Sequence, residues 1–305
     1  MEYKIKHFLY MPLTGLGLYG GHRGSRWLRN RIKVLKQFVV PSLQAQTNKN
    51  FTLWISVRQE DRHDKQVKAL KEYFDSIREF ETVFTYSGLC FWDDKLSDKV
   101  ARDRLVTNLH GTIGELMNHI GGVSHVLMTI QPSDDCYKNG VVQGLQGVFR
   151  EMPELQAVGF LKGYMMNYLT GELAEYNPVT IPPFFTIKFP KEVFIDPLKH
   201  LEYTGPYKSH EYIADKLKFG TIQERSFIVG CHGENVSTVF SHPYKGESVS
   251  REVLKDFGLK DVPNLKIKVS LRKWLLRKLP HKVQRKLRYV FGERFWNRIY
   301  EFLRA

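Results

Sequence analysis

Apolar residues recur along the first half of the chain with two alternating periods. Lys4 to Leu13 is an apolar-rich run ending at Pro12 and predicts a buried opening strand. Glycines at 15, 17, 20, 21 and 24 form a loop after it. From Trp27 to Val40 basic and apolar residues alternate at helical spacing, and Pro41 is expected to stop that helix. Phe51 to Val57 is β-branched and aromatic over a strand's length. Val67, Leu70, Phe74 and Ile77 mark one face of a helix, and Thr82 to Tyr86 reads as a third strand. Leu105, Leu109, Ile113, Leu116 and Ile120 stripe a second helix that Gly121-Gly122 ends, before a fourth strand from Val123 to Ile130.

Strand and helix thus alternate, and crossover helices of this kind build a mostly parallel sheet covered on both faces. The expected fold is α/β, a mostly parallel sheet flanked by helices. Ligands of open sheets collect at the carboxyl ends of the strands. The chemistry is therefore expected in the loops after Leu13, Val57, Tyr86 and Ile130. Further on, Ala157 to Tyr164 and Tyr168 to Tyr176 predict strands around a Thr170-Gly171 turn, Pro178, Pro182 and Pro183 mark a loop, and Thr221 to Gly230 predicts a late strand.

Composition supports a packed core: 305 residues are 42% hydrophobic and 26% charged. No apolar run approaches the roughly 20 residues a spanning helix needs. The N-terminus reads as a strand, not a signal peptide. Three distant cysteines, Cys90, Cys136 and Cys231, suggest reduced thiols and a cytoplasmic protein. The net charge of +14 is local: residues 265–305 hold 13 Lys/Arg against Glu293 and Glu301, a surplus of 11. The body is nearly neutral, so no nucleic-acid partner is expected. The expected organisation is a domain over 1–250 and a basic tail over 265–305.

Three polar clusters carry candidate chemistry. Ser133-Asp134-Asp135 directly follows the fourth strand. Paired acids there suit a hard cation such as Mg²⁺ or Mn²⁺, and equally suit the N-cap of a helix starting near Lys138. His232-Gly233-Glu234-Asn235 follows the late strand, where His232 is either a metal ligand or a surface residue. In the glycine-rich loop, Arg23 and Arg26 are either diphosphate ligands or solvated charges on a connector. Asp93 and Asp94, after Phe91-Trp92, are weaker candidates for a sugar pocket. No hydrolase, zinc-protease or P-loop signature occurs.

The chain resembles the bacterial rhamnosyltransferase family, glycosyltransferases of the GT-A type. The resemblance lies in Arg26-Trp-Leu-Arg-Asn-Arg31, Phe38 to Thr47, Asn50 to Ile55, Val126 to Asp135 and His232 to Ser237. It implies a nucleotide-diphosphate sugar donor, a glycan or lipid-linked acceptor and hexosyl transfer. It also implies a divalent metal, Mn²⁺ or Mg²⁺, at Asp134 and Asp135 with His232 as late ligand, and Arg23 or Arg26 facing the nucleotide. The family pattern Thr-Arg-Leu-Asp-x-Asp-Asp reads Thr129-Ile-Gln-Pro-Ser-Asp-Asp135 here, with Pro132 at the first acid. Such a metal would offset charge on the departing diphosphate. Glu224 and Asp215 are candidates for the base that deprotonates the acceptor.

From Ser270 onward three short amphipathic segments follow: Leu271, Trp274, Leu275 and Leu279; Val283, Leu287, Val290 and Phe291; Phe295, Ile299, Phe302 and Leu303. Lysines and arginines fill their other faces. Either the tail rests on an anionic membrane surface, placing a cytoplasmic protein peripherally at the inner face, or the stripes pack on the body or a second subunit. Two other readings stay open: a non-catalytic membrane- or nucleic-acid-binding protein on a degenerate glycosyltransferase scaffold, and a nucleotidyltransferase, whose lysine-containing phosphate loop is not found.

Overall fold

In the computed structural model the described residues are 4–14, 24–88, 98–204, 213–233, 235 and 238–267, with the side chains of 24, 25, 98, 99 and 101 left aside. Cys90, Asp93, Asp94, Arg23 and the tail from residue 268 lie outside them.

In chain order, β1 (Ile5–Pro12) is followed by α1 (Gly24–Val34), a wide π turn (Leu35–Val39) and α2 (Val40–Gln44), which run on as one helix. Then come β2 (Thr52–Ser56), α3 (Lys65–Asp75), β3 (Glu81–Thr85), α4 (Asp98–Leu116) and β4 (His125–Ile130). The second half holds β5 (Cys136–Tyr137), α5 (Val141–Glu151), β6 (Ala157–Phe160), β7 (Gly163–Asn167), β8 (Leu173–Tyr176) and β9 (Phe185–Pro190). Short helices α6 (Lys191–Phe194), α7 (Pro197–Thr204) and α8 (Ile213–Lys216) precede β10 (Phe219–Ile222), β11 (Phe227–Cys231) and β12 (Lys245–Ser248).

Seven strands form the main sheet in the order β10-β6-β9-β4-β1-β2-β3. Only β9 runs against its neighbours; the other pairings are parallel. The fold is therefore α/β, with a mostly parallel sheet flanked by helices, as the alternation predicts. Strand pleating divides the β1 side chains between two layers. Leu9 and Met11 pack with Leu28, Leu35, Phe38, Val67, Leu70 and Phe74 from α1 to α3. Phe8 and Tyr10 face Trp54 and the α4 stripe Leu105, Leu109, Ile113 and Leu116. Asp64 caps α3, accepting from Gln66 N–H at 2.7 Å.

Four expectations change. Pro41 does not stop its helix but sits in the first turn of α2. The π turn before it bonds Val40 N–H back to Leu35 O, so the regular ladder is already interrupted where proline's missing N–H would break it. The run from Ala157 to Tyr164 is two strands: β6 in the main sheet and β7 in a second sheet ordered β12-β8-β7-β11-β5. Thr221 to Gly230 divides likewise into the end of β10 and most of β11. The helix expected near Lys138 begins at Val141, after the two-residue strand β5. The Thr170-Gly171 turn forms as expected, with Gly171 at φ +78°.

Candidate active site

The loop after β4 is held rigidly before it delivers its acids. Gln131 is buried, its N–H donates to Tyr10 O at 2.8 Å, and its side chain donates to Pro132 O and Asp135 O, both at 2.9 Å. Tyr137 Oη donates to Ile130 O at 2.7 Å. The chain then passes directly into β5, which pairs antiparallel with β11. No helix starts at Asp134 or Asp135, so the capping role is not the one they play.

Three elements converge on Asp134 Oδ2. From α1, Arg31 Nη1 lies 2.5 Å away, with Arg31 5% and Asp134 15% exposed. From the end of β11, His232 Nε2 lies 3.1 Å away. Asn235 Nδ2 donates to it at 3.2 Å and to Gly230 O at 2.5 Å. His232 N–H in turn donates to Asn235 Oδ1 at 2.8 Å, which folds the loop around Gly233 at φ +85°. Among the described residues none donates to Asp134 Oδ1. The Asp134 carbonyl accepts from Tyr168 Oη at 2.9 Å, and the Tyr168 ring stacks on Phe38 with centroids 3.7 Å apart. Asp135 points inward, accepting from Gly230 N–H at 2.8 Å. Gly230 is required by space: a Cβ there would lie 2.2 Å from Asp134 O and 2.4 Å from the Tyr168 ring.

These surroundings drive the two carboxyls apart. Burial alone would raise the Asp134 pKa, but the Arg31 guanidinium and the His232 contact outweigh it and hold the group well below the ordinary range. Burial, then the neighbouring Asp134 charge, pushes Asp135 well above its ordinary value. Burial also raises the Tyr168 phenol and the adjacent Cys136 thiol, the latter to about 12, so both stay neutral donors.

The structure thus brings Asp134, Asp135 and His232 together. Arg26 is exposed on α1, outside the cluster, and Arg23 lies outside the described residues. Glu224 pairs with Lys138 at 2.5 Å and is largely exposed, and Asp215 sits exposed on α8. Arg31, Tyr168, Gln131 and Asn235 are the members to which sequence reasoning gave no firm role. Arg31 had a signal, since it falls within the apolar stripe Leu28, Arg31, Leu35 and Phe38 at spacings of 3, 4 and 3. A charge in such a stripe implies a buried partner.

The expected divalent cation does not fit this donor set. A hard cation takes several oxygen ligands. Here Asp134 Oδ2 is already ion-paired with Arg31 and in contact with His232 and Asn235, and Asp135 Oδ1 accepts from a backbone N–H. A divalent ion sharing that oxygen would stand about 4 Å from the guanidinium, a repulsion of about 8 kcal/mol at an effective dielectric of ~20. Among the described residues no group of three or more His, Cys, Asp and Glu is placed to hold a metal ion.

No family model and no curated protein matches the sequence. Among solved structures, the chain is similar to S. aureus TarS 1-349, at TM-score 0.36 and 11% identity over 74% of this chain and 60% of that one. A structure of S. aureus TarS matches at 0.37 and 12%, over 74% of this chain and 36% of that one. Mouse xyloside xylosyltransferase 1 in its apo form matches at 0.35 and 10%, over 71% and 78%. The chain therefore spans less than two thirds of the length of either TarS structure, 60% of one and 36% of the other.

Proposed function

We propose that the protein is a glycosyltransferase of the GT-A type, moving a sugar from a nucleotide-diphosphate sugar to a glycan or lipid-linked acceptor. The observation that supports this reading most is the position of Asp134. It lies past the carboxyl end of β4, the central strand of the main sheet, where open α/β sheets receive ligands. A carboxylate held ionised, with Oδ2 ion-paired to Arg31 and in contact with His232 and Asn235, leaves Oδ1 to accept a hydrogen bond from a ribose or sugar hydroxyl. The motif resemblance along residues 26–237 passes through the same residues. Arg26, and Arg23 in the loop before it, would meet the diphosphate from the α1 side. Glu224 remains the proposed base, and it would first have to leave Lys138.

A thermal-shift screen of UDP-, dTDP- and GDP-sugars tests the reading. One nucleotide class should raise the melting temperature of the wild type, and Asp134→Asn should lose that rise. If no donor gives a shift, the reading of a binding protein on a degenerate scaffold takes its place.

A further inference from the structure

We propose that Arg31 takes the place of the metal ion, so that the Asp134 cluster is closed to divalent cations and binds its nucleotide-diphosphate ligand without one. This rests on the reading of the site as a donor site. The positive charge that a cation would bring to the acids is already built into the chain. Arg31 is 5% exposed and its Nη1 lies 2.5 Å from Asp134 Oδ2. Its Nε and Nη1 are buried and make no hydrogen bond among the described residues, so the tie to Asp134 is an ion pair. The Trp27 ring lies 5.2 Å from the guanidinium carbon and covers it. A guanidinium so enclosed cannot swing into water to vacate the carboxylate, because a buried charge is held where its partner is.

The neighbouring residues agree with a built-in cation rather than an exchangeable one. His232 and Asn235 reach the same oxygen from the opposite element, so a cation could meet Asp134 through Oδ1 alone. Asp135, which would be the second ligand, is turned away by its bond to Gly230 N–H, and Gly230 cannot move aside without Asp134 O and Tyr168 following. Pro132 occupies the position of the family's first acid, so the residue pattern offers one carboxylate fewer. With the acids' charge balanced internally, a bound diphosphate meets an electropositive α1 face rather than an Asp-Asp-metal bridge.

The test uses the full chain and two probes. Mn²⁺ alone is titrated and followed by electron paramagnetic resonance, on wild type, Asp134→Asn and Arg31→Met. Separately, UDP, dTDP and GDP are titrated by calorimetry in EDTA and in Mn²⁺. The expected results are no wild-type Mn²⁺ binding that depends on Asp134, and nucleotide affinity equal within about twofold in EDTA and Mn²⁺. Arg31→Met removes the repelling charge and should bind Mn²⁺ more tightly than wild type, through the Asp134 oxygen that no described residue bonds. Stoichiometric Mn²⁺ binding by wild type that Asp134→Asn abolishes would overturn the proposal, as would a nucleotide affinity that falls tenfold or more in EDTA. Should none of the nucleotides bind, the donor-site reading fails by itself, while the wild-type Mn²⁺ titration still decides for or against Arg31 as the resident cation. That arm also stands if Arg31→Met does not fold.

Discussion

At the scale of single residues, the site is a set of close approaches that leave little freedom to substitute. Gly230→Ala places a Cβ against the Asp134 carbonyl, backbone that cannot step aside. It is expected to cost about 3 kcal/mol in urea unfolding, the upper end of the usual range for overpacked cores. Tyr168→Phe keeps the stack on Phe38 and removes only the bond to Asp134 O. The expected loss is about 1 kcal/mol by the same measurement, with the fold intact. A Tyr168→Phe effect as large as that of Gly230→Ala would show that the hydroxyl, and not the packing, holds the loop. Much of the cluster was visible in the sequence, since paired acids after a strand and a histidine after a late strand are local patterns. Tyr168 and Gln131 were not, because a buried polar side chain reveals its role only through a partner far away in sequence. For Tyr168 that partner is 34 positions away. Arg31 stands between these cases: its place in an apolar stripe says that it is buried, but not that Asp134 receives it.

At the scale of elements, neutral histidines tie strands to the layers above them. His7 on β1 is buried, with Nε2 2.8 Å from Thr129 Oγ1 on β4 and Nδ1 3.2 Å from Gln146 on α5. His200 on α7 bonds Phe194 O at 3.0 Å and stacks on Phe189 of β9. Burial lowers His7 to about 3 and His200 to about 4, both below the ordinary value of 6.5. A depressed histidine pKa means that the unfolded chain takes up the proton first. Their contribution is therefore complete above about pH 6.5 and is lost as the pH falls toward these values. At pH 5 each should have cost about 2 kcal/mol relative to pH 7.5. Urea midpoints at the two pH values measure the sum, and His7→Gln should remove about half of the drop. A drop unchanged in His7→Gln would assign it to other groups. Element existence along the first half followed from periodicity. The divided runs, Ala157 to Tyr164 and Thr221 to Gly230, did not, because an apolar strand pattern carries no mark of which sheet it enters. β9 was missed for a related reason: its row Phe-Thr-Ile-Lys-Phe is buried on both sides, and Lys188 reaches Pro153 O rather than water.

At the scale of the whole molecule, the packed body runs beyond residue 250. Leu254, Phe257, Leu259 and Leu265 are buried, and Leu265 N–H donates to Tyr168 O at 2.6 Å. The tail's first residues therefore brace the site, and a truncation that spares the described body must begin after residue 267. Among the described residues no helix is long and apolar enough to cross a membrane. The basic segment 270–305 is proposed to rest on an anionic surface, at about 1 kcal/mol per basic residue near the lipid. Full-length protein should pellet with phosphatidylserine vesicles at low salt, and the 1–269 form should stay in solution. Equal pelleting of both forms would remove the tail from the membrane account.

The central claim, sugar transfer at the Asp134 cluster, is tested most directly by nucleoside diphosphate release. The full chain is incubated with UDP-, dTDP- and GDP-sugars in turn, with and without candidate glycan acceptors, beside Asp134→Asn. One donor class should be turned over, and the substitution should reduce the rate by about a hundredfold or more, as for other buried electrostatic groups at a reacting centre. Turnover undiminished in Asp134→Asn, or no release from any donor, would contradict the account.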